Sequence, residues 1–298
     1  MVDLIKARLV KYFSSPLLYI AGLVSLASGV YGGAYCTNFK DEAGNIINCP
    51  ADDMWMLIGI WAAMILVSMC AGREFSDGTI RNKIAVGHRK ADVFFAEIIV
   101  ASIVTGIIYF LNITATAAGG WYFISAIPTH CAVEWFVNIF LTFQLMSILA
   151  VTVTFLLSKR AVAVVAAFAL HFVLYIIVGF TGGYYYNIDE PRYGTQSSYA
   201  IYEDKTVEKT QQEFENGYYI DGLPKVLIQI EHAVNPMYGL EDALHFGHIR
   251  DRSLEEAYVL KQEQSRIGDL NADVLKMLAY CIAVSFAGAF LFRKKDLK

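Results

Sequence analysis

The hydrophobic positions of this chain are gathered into long uncharged runs, and short charged segments separate the runs. A helix of about 20 apolar residues crosses the ~30 Å hydrocarbon core of a bilayer. The runs therefore predict six transmembrane helices, and the fold class we expect is an all-α integral membrane protein. The expected spans are residues 16–35, 54–71, 93–118, 135–157, 161–183 and 274–292.

Composition agrees with this pattern. Of the 298 residues, 56% are hydrophobic and 17% are charged, and the mean hydropathy is +0.44. Soluble domains carry about a quarter charged residues. A soluble class of protein is therefore excluded.

Residues 1–13 predict a short amphipathic helix that lies on the membrane surface. Its apolar side chains near one face are Val2, Ile5, Leu9 and Phe13. Arg8 and Lys11 are expected to point away from that face, as a helix lying on an anionic inner leaflet allows. A cleaved signal peptide is the alternative, but the apolar run continues to Ala34, and Ser15 and Pro16 form a good start for a retained first span.

The Lys and Arg residues of the short loops indicate the orientation. With the amino terminus inside, the cytoplasmic segments collect nearly all of them, whereas the short outer loops hold only Lys40. We therefore expect a multi-pass protein of the cell membrane with both termini in the cytoplasm.

Four regions follow from this topology. Residues 1–13 are the interfacial helix, and residues 16–183 hold spans one to five with a cytoplasmic loop at 72–92. Residues 184–273 carry 17 acidic and 8 basic side chains. Their patterns, such as EKTQQEFENG and PKVLIQIEHAV, predict a mainly helical extracellular subdomain. Residues 274–298 are the sixth span and a basic cytoplasmic tail.

Cys36 and Cys49 bracket an outer loop that faces an oxidising compartment in this topology. A disulfide between them is expected, and it would contribute about 3 kcal/mol in the chain-entropy model. Two free thiols are the alternative, and Cys131 is a rival partner.

Polar residues inside the spans are a further group of candidates. Glu97 and Glu134 lie near span ends, where we expect them to pair with a nearby base or to reach the interface. Asn112, Gln144 and His171 are expected to bond between helices.

The outer segment also contains a candidate metal site. His245 and His248 are spaced by about one helical turn, near Glu241 and Asp242. Ordinary surface histidines are the preferred interpretation, so no metal ligand, cofactor or catalytic residue is assigned.

The cytoplasmic loop contains the most informative stretch, GREFSDGTIRNKIAVGHRK at residues 72–90. Asp77 or Thr79 can cap a helix start, and Gly87 suits a helix end that needs a positive φ. Ile80 and Ile84 are four residues apart, so they share a face of the short helix between. A solvated loop is the alternative.

This stretch resembles the first cytoplasmic loop of ABC exporter permeases of the ABC type-2 family. The matching residues are Glu74, Gly78, Thr79, Arg81, Asn82, Gly87 and Arg89. Six spans and an amphipathic amino-terminal helix also agree with the family. The chain departs from it at Glu97, where a Lys is frequent, and in the length of the segment before the last span.

The resemblance implies that the loop holds a coupling helix, seated in a cleft of a separate ABC ATPase subunit that binds ATP and Mg²⁺. Ile80 and Ile84 would form its docking face. The chain has no G-x-x-x-x-G-K-[ST], so the nucleotide site would belong to the partner. A second permease chain, in a homodimer, is also implied.

The function we expect is export of a substrate, and the acidic outer segment favours an amphipathic or cationic peptide. The alternative is a non-transporting sensor or immunity protein that captures a ligand with that segment. An enzyme is not expected, since no convergent catalytic set is present, and neither is a nucleic-acid partner.

Overall fold

A computed structural model describes residues 1–36, 52–119, 132–186, 192–201, 207–217, 219–238 and 256–295. The first seven helices in chain order are α1 (Val2–Phe13), α2 (Pro16–Cys36), α3 (Asp52–Ser76), α4 (Thr79–Ala85), α5 (Lys90–Gly119), α6 (Ala132–Leu157) and α7 (Arg160–Tyr186). The remaining elements are β1 (Tyr193–Ile201), β2 (Val207–Glu215), α8 (Leu223–Val234) and α9 (Glu256–Lys294).

Six helices in the described part of the chain are long and apolar enough to cross a membrane. This confirms the prediction of a multi-pass membrane protein. The segments that can span are Pro16–Ala34, Trp55–Ser76, Lys90–Gly119, Phe136–Leu157, Arg160–Gly182 and Asp273–Lys294. The second of them continues five residues past the expected end at residue 71, so Glu74 belongs to α3 and not to the loop.

The chain divides into two compact units. Residues 1–172 and 239–298 form the first, which we call the helical body, and residues 173–238 form the second, which we call the hairpin unit. The division falls within α7. The boundary expected between residues 273 and 274 instead falls inside α9, which begins at Glu256 and continues through the last span.

In the helical body, α2 and α5 approach each other closely where glycines meet the opposite backbone. A side chain at Gly29 would collide with the carbonyl oxygen of Asn112, and one at Gly119 would collide with that of Val30. Small residues that let backbones approach are typical of membrane helix pairs, because packing rather than hydrophobic burial holds such helices together.

The hairpin unit contains an antiparallel pair of strands, which corrects the expectation of an all-α chain. β1 pairs with β2 in a register that runs from Tyr193 opposite Glu215 to Ile201 opposite Val207. The sequence EKTQQEFENG was therefore wrongly predicted as helical. It has good helix formers but no apolar stripe at helical spacing, and strand pairing decides the conformation of such a segment. PKVLIQIEHAV, in contrast, lies in α8 as expected.

Candidate functional site

The helix α1 has a charged residue, Arg8, on its buried face. Its buried residues are Leu4, Arg8 and Tyr12, at a spacing of four that places them on one face. Val2 and Phe13 of the expected buried face are 63% and 44% exposed. The expectation that Arg8 points away from the buried face of α1 is therefore wrong. Arg8 is 3% exposed, because two carboxylates lie beneath α1.

The first of these carboxylates is Glu74, near the end of α3. Its Oε1 lies 2.8 Å from Arg8 Nη1 and 2.6 Å from Lys11 Nζ, and its Oε2 accepts a hydrogen bond from Lys83 of α4. Only 3% of Glu74 is exposed. One carboxylate therefore joins α1, α3 and α4.

The second carboxylate is Glu97, near the start of α5. Arg8 donates to its Oε2, and the hydroxyl of Tyr12 donates to its Oε1 at 2.7 Å. Glu97 is 2% exposed, and Tyr12 is fully buried. The expectation that Glu97 pairs with a nearby base is confirmed.

We call Arg8, Lys11, Tyr12, Glu74, Lys83 and Glu97 the charge cluster. Three cations face two carboxylates in it, and the two lysines reach in from positions with more solvent access. A buried charge is very costly unless it is paired and hydrogen-bonded. The partners of Glu74 and Glu97 meet this requirement, so the four elements α1, α3, α4 and α5 are held in one arrangement.

The proton positions in the cluster are fixed as well. Burial alone lowers the pKa of Arg8, but the carboxylates of Glu97 and Glu74 outweigh it and hold that pKa above its ordinary value. Burial, followed by the charge of Glu97, raises the pKa of Tyr12 well above its ordinary value. Both groups keep their protons at physiological pH, so these two do not form a pH switch.

The helix α4 is set between two glycines with left-handed backbone. Gly78, at φ 67°, precedes it, and Gly87, at φ 103°, follows it. A side chain at either position would be strained. The positive φ expected at Gly87 is thus present. The caps expected from Asp77 or Thr79 are not, because Gly78 is the N-cap and Thr79 Oγ1 donates to the Glu74 carbonyl at 3.0 Å.

One face of α4 packs against α3 and α5. Ile80 is 1% exposed and Ile84 is half-buried, so the expectation that they form a free docking face is wrong for Ile80. Hydrophobic contacts inside the chain already cover it. The solvent face of α4 instead presents Arg81 and Asn82, and Val86 at its C-cap is 82% exposed. Arg89 is also exposed.

An aromatic cluster lies at the same ends of the helices. Phe75 and Phe94 contact Phe155 with ring centroids 5.1 and 5.2 Å apart, and Phe292 contacts Phe155 at 4.8 Å. Phe75 adjoins Glu74, and Phe94 lies one helical turn before Glu97. The ends of α3 and α5 are therefore held on two sides, by charges and by rings.

Lys295, just after α9, fastens the end of α6. Its Nζ donates to the Phe155 carbonyl at 2.9 Å, to the Leu156 carbonyl and to Ser158 Oγ. A cation at unsatisfied helix carbonyls is favourable, since the helix dipole is negative there. Burial lowers the pKa of Lys295.

The intramembrane polar residues bond between helices, as expected for Asn112 and Gln144. Asn112 Nδ2 of α5 donates to the Ser25 carbonyl of α2 at 3.1 Å, and Gln144 Nε2 of α6 donates to the Ser102 carbonyl of α5 at 3.2 Å. His171 Nδ1 lies 3.4 Å from Met146 Sδ. These contacts show that Asn112, Gln144 and His171 each contact a neighbouring helix.

Other candidate residues fall outside the described part of the chain. Cys49, His245 and His248 are among them, so the disulfide with Cys36 stays a prediction. Nothing is described for the side chain of Glu134. Within the ranges that the structure describes, no group of three or more His, Cys, Asp or Glu residues is placed to hold a metal ion.

The sequence pattern points to Glu74 but not to the cluster around it. Arg8 lies 89 residues from Glu97 in sequence, and no local pattern joins them. One signal was available: Leu4, Arg8 and Tyr12 are spaced by four, and two glutamates stand at the adjacent ends of neighbouring spans. An acidic residue at such a position needs a cation.

Comparison of the chain with protein-family models, curated proteins and solved structures gave no match.

Proposed function

We propose that this chain is the membrane-spanning permease subunit of an ATP-driven ABC exporter and that α4 is its coupling helix. In this proposal a separate ATPase subunit binds ATP and Mg²⁺ and hydrolyses the nucleotide. Its movement displaces α4, and the displacement shifts the spans between two conformations.

The observation that carries the proposal is the way α4 is held. A helix of seven residues is not stable alone in water, because its nucleation is costly. Here Lys83 bonds to Glu74, and Ile80 packs inward. A short helix presented rigidly between two spans suits a part that transmits force from another subunit.

The docking face follows from the exposed side of α4. It combines the cation Arg81, the amide Asn82 and the apolar side chain of Val86. The complementary cleft on the ATPase would carry acidic side chains around a small apolar depression. Ile80 and Ile84 then serve the attachment of α4 to its own chain.

The charge cluster provides the connection to the spans. Glu74 is bonded to α4 through Lys83 and to α1 through Arg8, and Arg8 is bonded to Glu97 at the start of α5. Displacing α4 alone would strip Lys83 from a buried carboxylate. The cost of that separation favours joint movement of α4, α1 and the ends of α3 and α5.

The remaining features of the proposal come from the charge pattern. The basic loops support a location in the cell membrane with both termini in the cytoplasm. A second copy completes the permease as a homodimer, and the acidic segment at 184–273 favours an amphipathic or cationic peptide as cargo.

The test is whether ATP hydrolysis co-purifies with the chain. A tagged chain is purified in mild detergent from its native cells, alongside the Arg81→Glu/Val86→Asp double variant. Arg293→Glu serves as the control, because Arg293 is an exposed cation in the last turn of α9 and does not belong to α4. We expect vanadate-sensitive ATP hydrolysis with the native chain and Arg293→Glu, and its loss from the double variant.

Two results would contradict the proposal. Equal hydrolysis in all three samples would show that α4 is not the docking element. Absence of hydrolysis from every sample, with the chain folded, would favour the alternative of a ligand-capturing sensor.

A further inference from the structure

The helix α8 in the hairpin unit exposes its apolar face and partly buries its polar face, whereas a helix of a soluble domain buries its apolar face. Leu223, Val226, Leu227 and Ile230 are 70%, 47%, 55% and 54% exposed. They recur at positions i, i+3, i+4 and i+7, which form one face of a helix. Lys225 and His232 lie on the opposite face, Glu231 lies at the edge of the apolar face, and all three side chains are half-buried.

The polar face is the one that attaches α8 to the span. Glu231 Oε2 accepts from Thr181 Oγ1 at 3.0 Å, and the ring of His232 stacks on that of Tyr185 with centroids 3.6 Å apart. Asn235, directly after α8, donates to the Leu174 carbonyl at 3.0 Å. All three partners on α7 lie within its last four turns.

These bonds place the end of α8 at a definite level along the span Arg160–Gly182. Leu174 lies eight residues before the end of that span, or about 12 Å at the rise of an α-helix. Thr181 lies at the end of the span, and Tyr185 lies just past it. The last turn of α8 and Asn235 therefore lie beside the carboxyl-terminal part of the span, from about 12 Å inside its end to just past it. Aromatic rings such as Tyr185 and Tyr238 are typical of the boundary between hydrocarbon and headgroups.

We propose that α8 lies in the membrane interface, with the face formed by Leu223, Val226, Leu227 and Ile230 buried in the acyl chains of the leaflet. Exposure of four large apolar side chains to water on one face is unfavourable, and such patches usually mark a contact with protein or membrane. An amphipathic helix at the interface buries such a face in lipid. In the predicted topology this leaflet is the outer one, and the inference does not depend on the proposed transport function.

The chemistry of the face also selects the kind of lipid contact. Its four residues are aliphatic, so it carries neither a charge nor a polar side-chain atom. The face therefore fits hydrocarbon and does not recognise a particular headgroup. Binding of α8 should be equally strong in zwitterionic and in anionic membranes, unlike that of a basic interfacial helix.

The experiment uses photo-cross-linking in vesicles that contain the full chain and no other protein. Benzoylphenylalanine replaces Leu227 or Ile230 in phosphatidylcholine vesicles, with and without phosphatidylglycerol. Phe180, a span residue that is 76% exposed, is the positive control, and Lys225, on the opposite face of α8, is the matched negative control. Lipid adducts are detected as mass additions to the peptide.

We expect lipid adducts at Leu227 and Ile230 with yields near that at Phe180, several-fold above Lys225, and the same in both vesicle types. Cross-links between two chains would instead make a second copy the occupant and overturn the proposal. Links to another segment of the same chain, or no adduct at either position, would overturn it as well. A far higher yield in the anionic vesicles would contradict the assignment to hydrocarbon.

Discussion

At the scale of single residues, Glu74 is the side chain on which the arrangement depends most. It is 3% exposed and contacts cations from α1 and α4, so its charge is compensated from two sides. Removing one partner of a buried ion pair leaves the other charge buried and uncompensated. This loss is much larger than the gain from forming a pair at the surface.

Glu74→Gln is expected to destabilise the folded chain by about 3–5 kcal/mol, because Arg8 loses one of its two buried carboxylates. The measurement is the thermal unfolding midpoint in detergent. Asp77→Asn is the matched control, since Asp77 pairs with Arg73 at 3.3 Å on the surface. An exposed pair of this kind contributes ~0.3–0.5 kcal/mol. Equal shifts in the two variants would contradict the role of Glu74.

Tyr12 gives a prediction about pH. Its pKa is raised above the ordinary value of 10.0 by burial and by Glu97. The unfolded chain therefore loses this proton at lower pH than the folded chain, and the contribution to stability, present below pH 10, is lost as the pH rises above it. We expect the unfolding midpoint of the native chain to fall more steeply above pH 10 than that of Tyr12→Phe. Parallel pH profiles would show that Tyr12 does not carry this effect.

At the scale of elements, α4 depends on tertiary contacts for its helical form. Lys83→Met removes its bond to Glu74 but keeps the length of the side chain, so α4 should open more often. Hydrogen exchange at the amides of residues 82–87 is expected to quicken by at least about tenfold, the equivalent of ~1.4 kcal/mol.

The matched control for Lys83→Met is Arg81→Met. It removes a cation two residues away that points to solvent. Its exchange rates should stay close to those of the native chain. If both variants exchanged at the native rate, the attachment through Glu74 would be unimportant for α4.

The sequence predicted correctly those elements that depend on a single local pattern. Long apolar runs predicted the six spans, and Gly87 predicted the turn after α4. The β1–β2 hairpin was missed because its strands are mostly polar, and their conformation comes from pairing with each other. The inward face of α1 was missed for a similar reason. Arg8 is a surface residue by type, and only the distant Glu74 and Glu97 explain its burial.

At the scale of the whole molecule, the charge cluster and the aromatic cluster lie at the same end of the helices of the helical body. The charge cluster and the aromatic cluster both fix the ends of α3 and α5, and Lys295 fastens the end of α6 to the residues after α9. In the proposed mechanism, a displacement of α4 would therefore reach several helices at once. Packed interiors move between discrete arrangements and do not deform smoothly, which makes this end suited to switching.

Glu97 stands at the position where the ABC type-2 permeases that the loop resembles frequently have a Lys. A Lys at this position would place a second cation beside Arg8, whereas Glu97 pairs with Arg8 and accepts from Tyr12. The connection from α4 to α5 in this chain therefore runs through an acidic residue. Its importance can be measured in the assembled complex.

The most direct test of the account follows α5 while the proposed partner ATPase hydrolyses ATP. Hydrogen exchange is measured in the complex, without nucleotide and after trapping with ATP and vanadate, for the native chain and for Lys83→Met. In the native complex, trapping should change exchange both in α4 and in the first two turns of α5. In Lys83→Met the change in α5 should be lost while the ATPase stays bound. The same response of α5 in both chains, or no response in the native one, would contradict the claim that α4 drives the spans through Glu74.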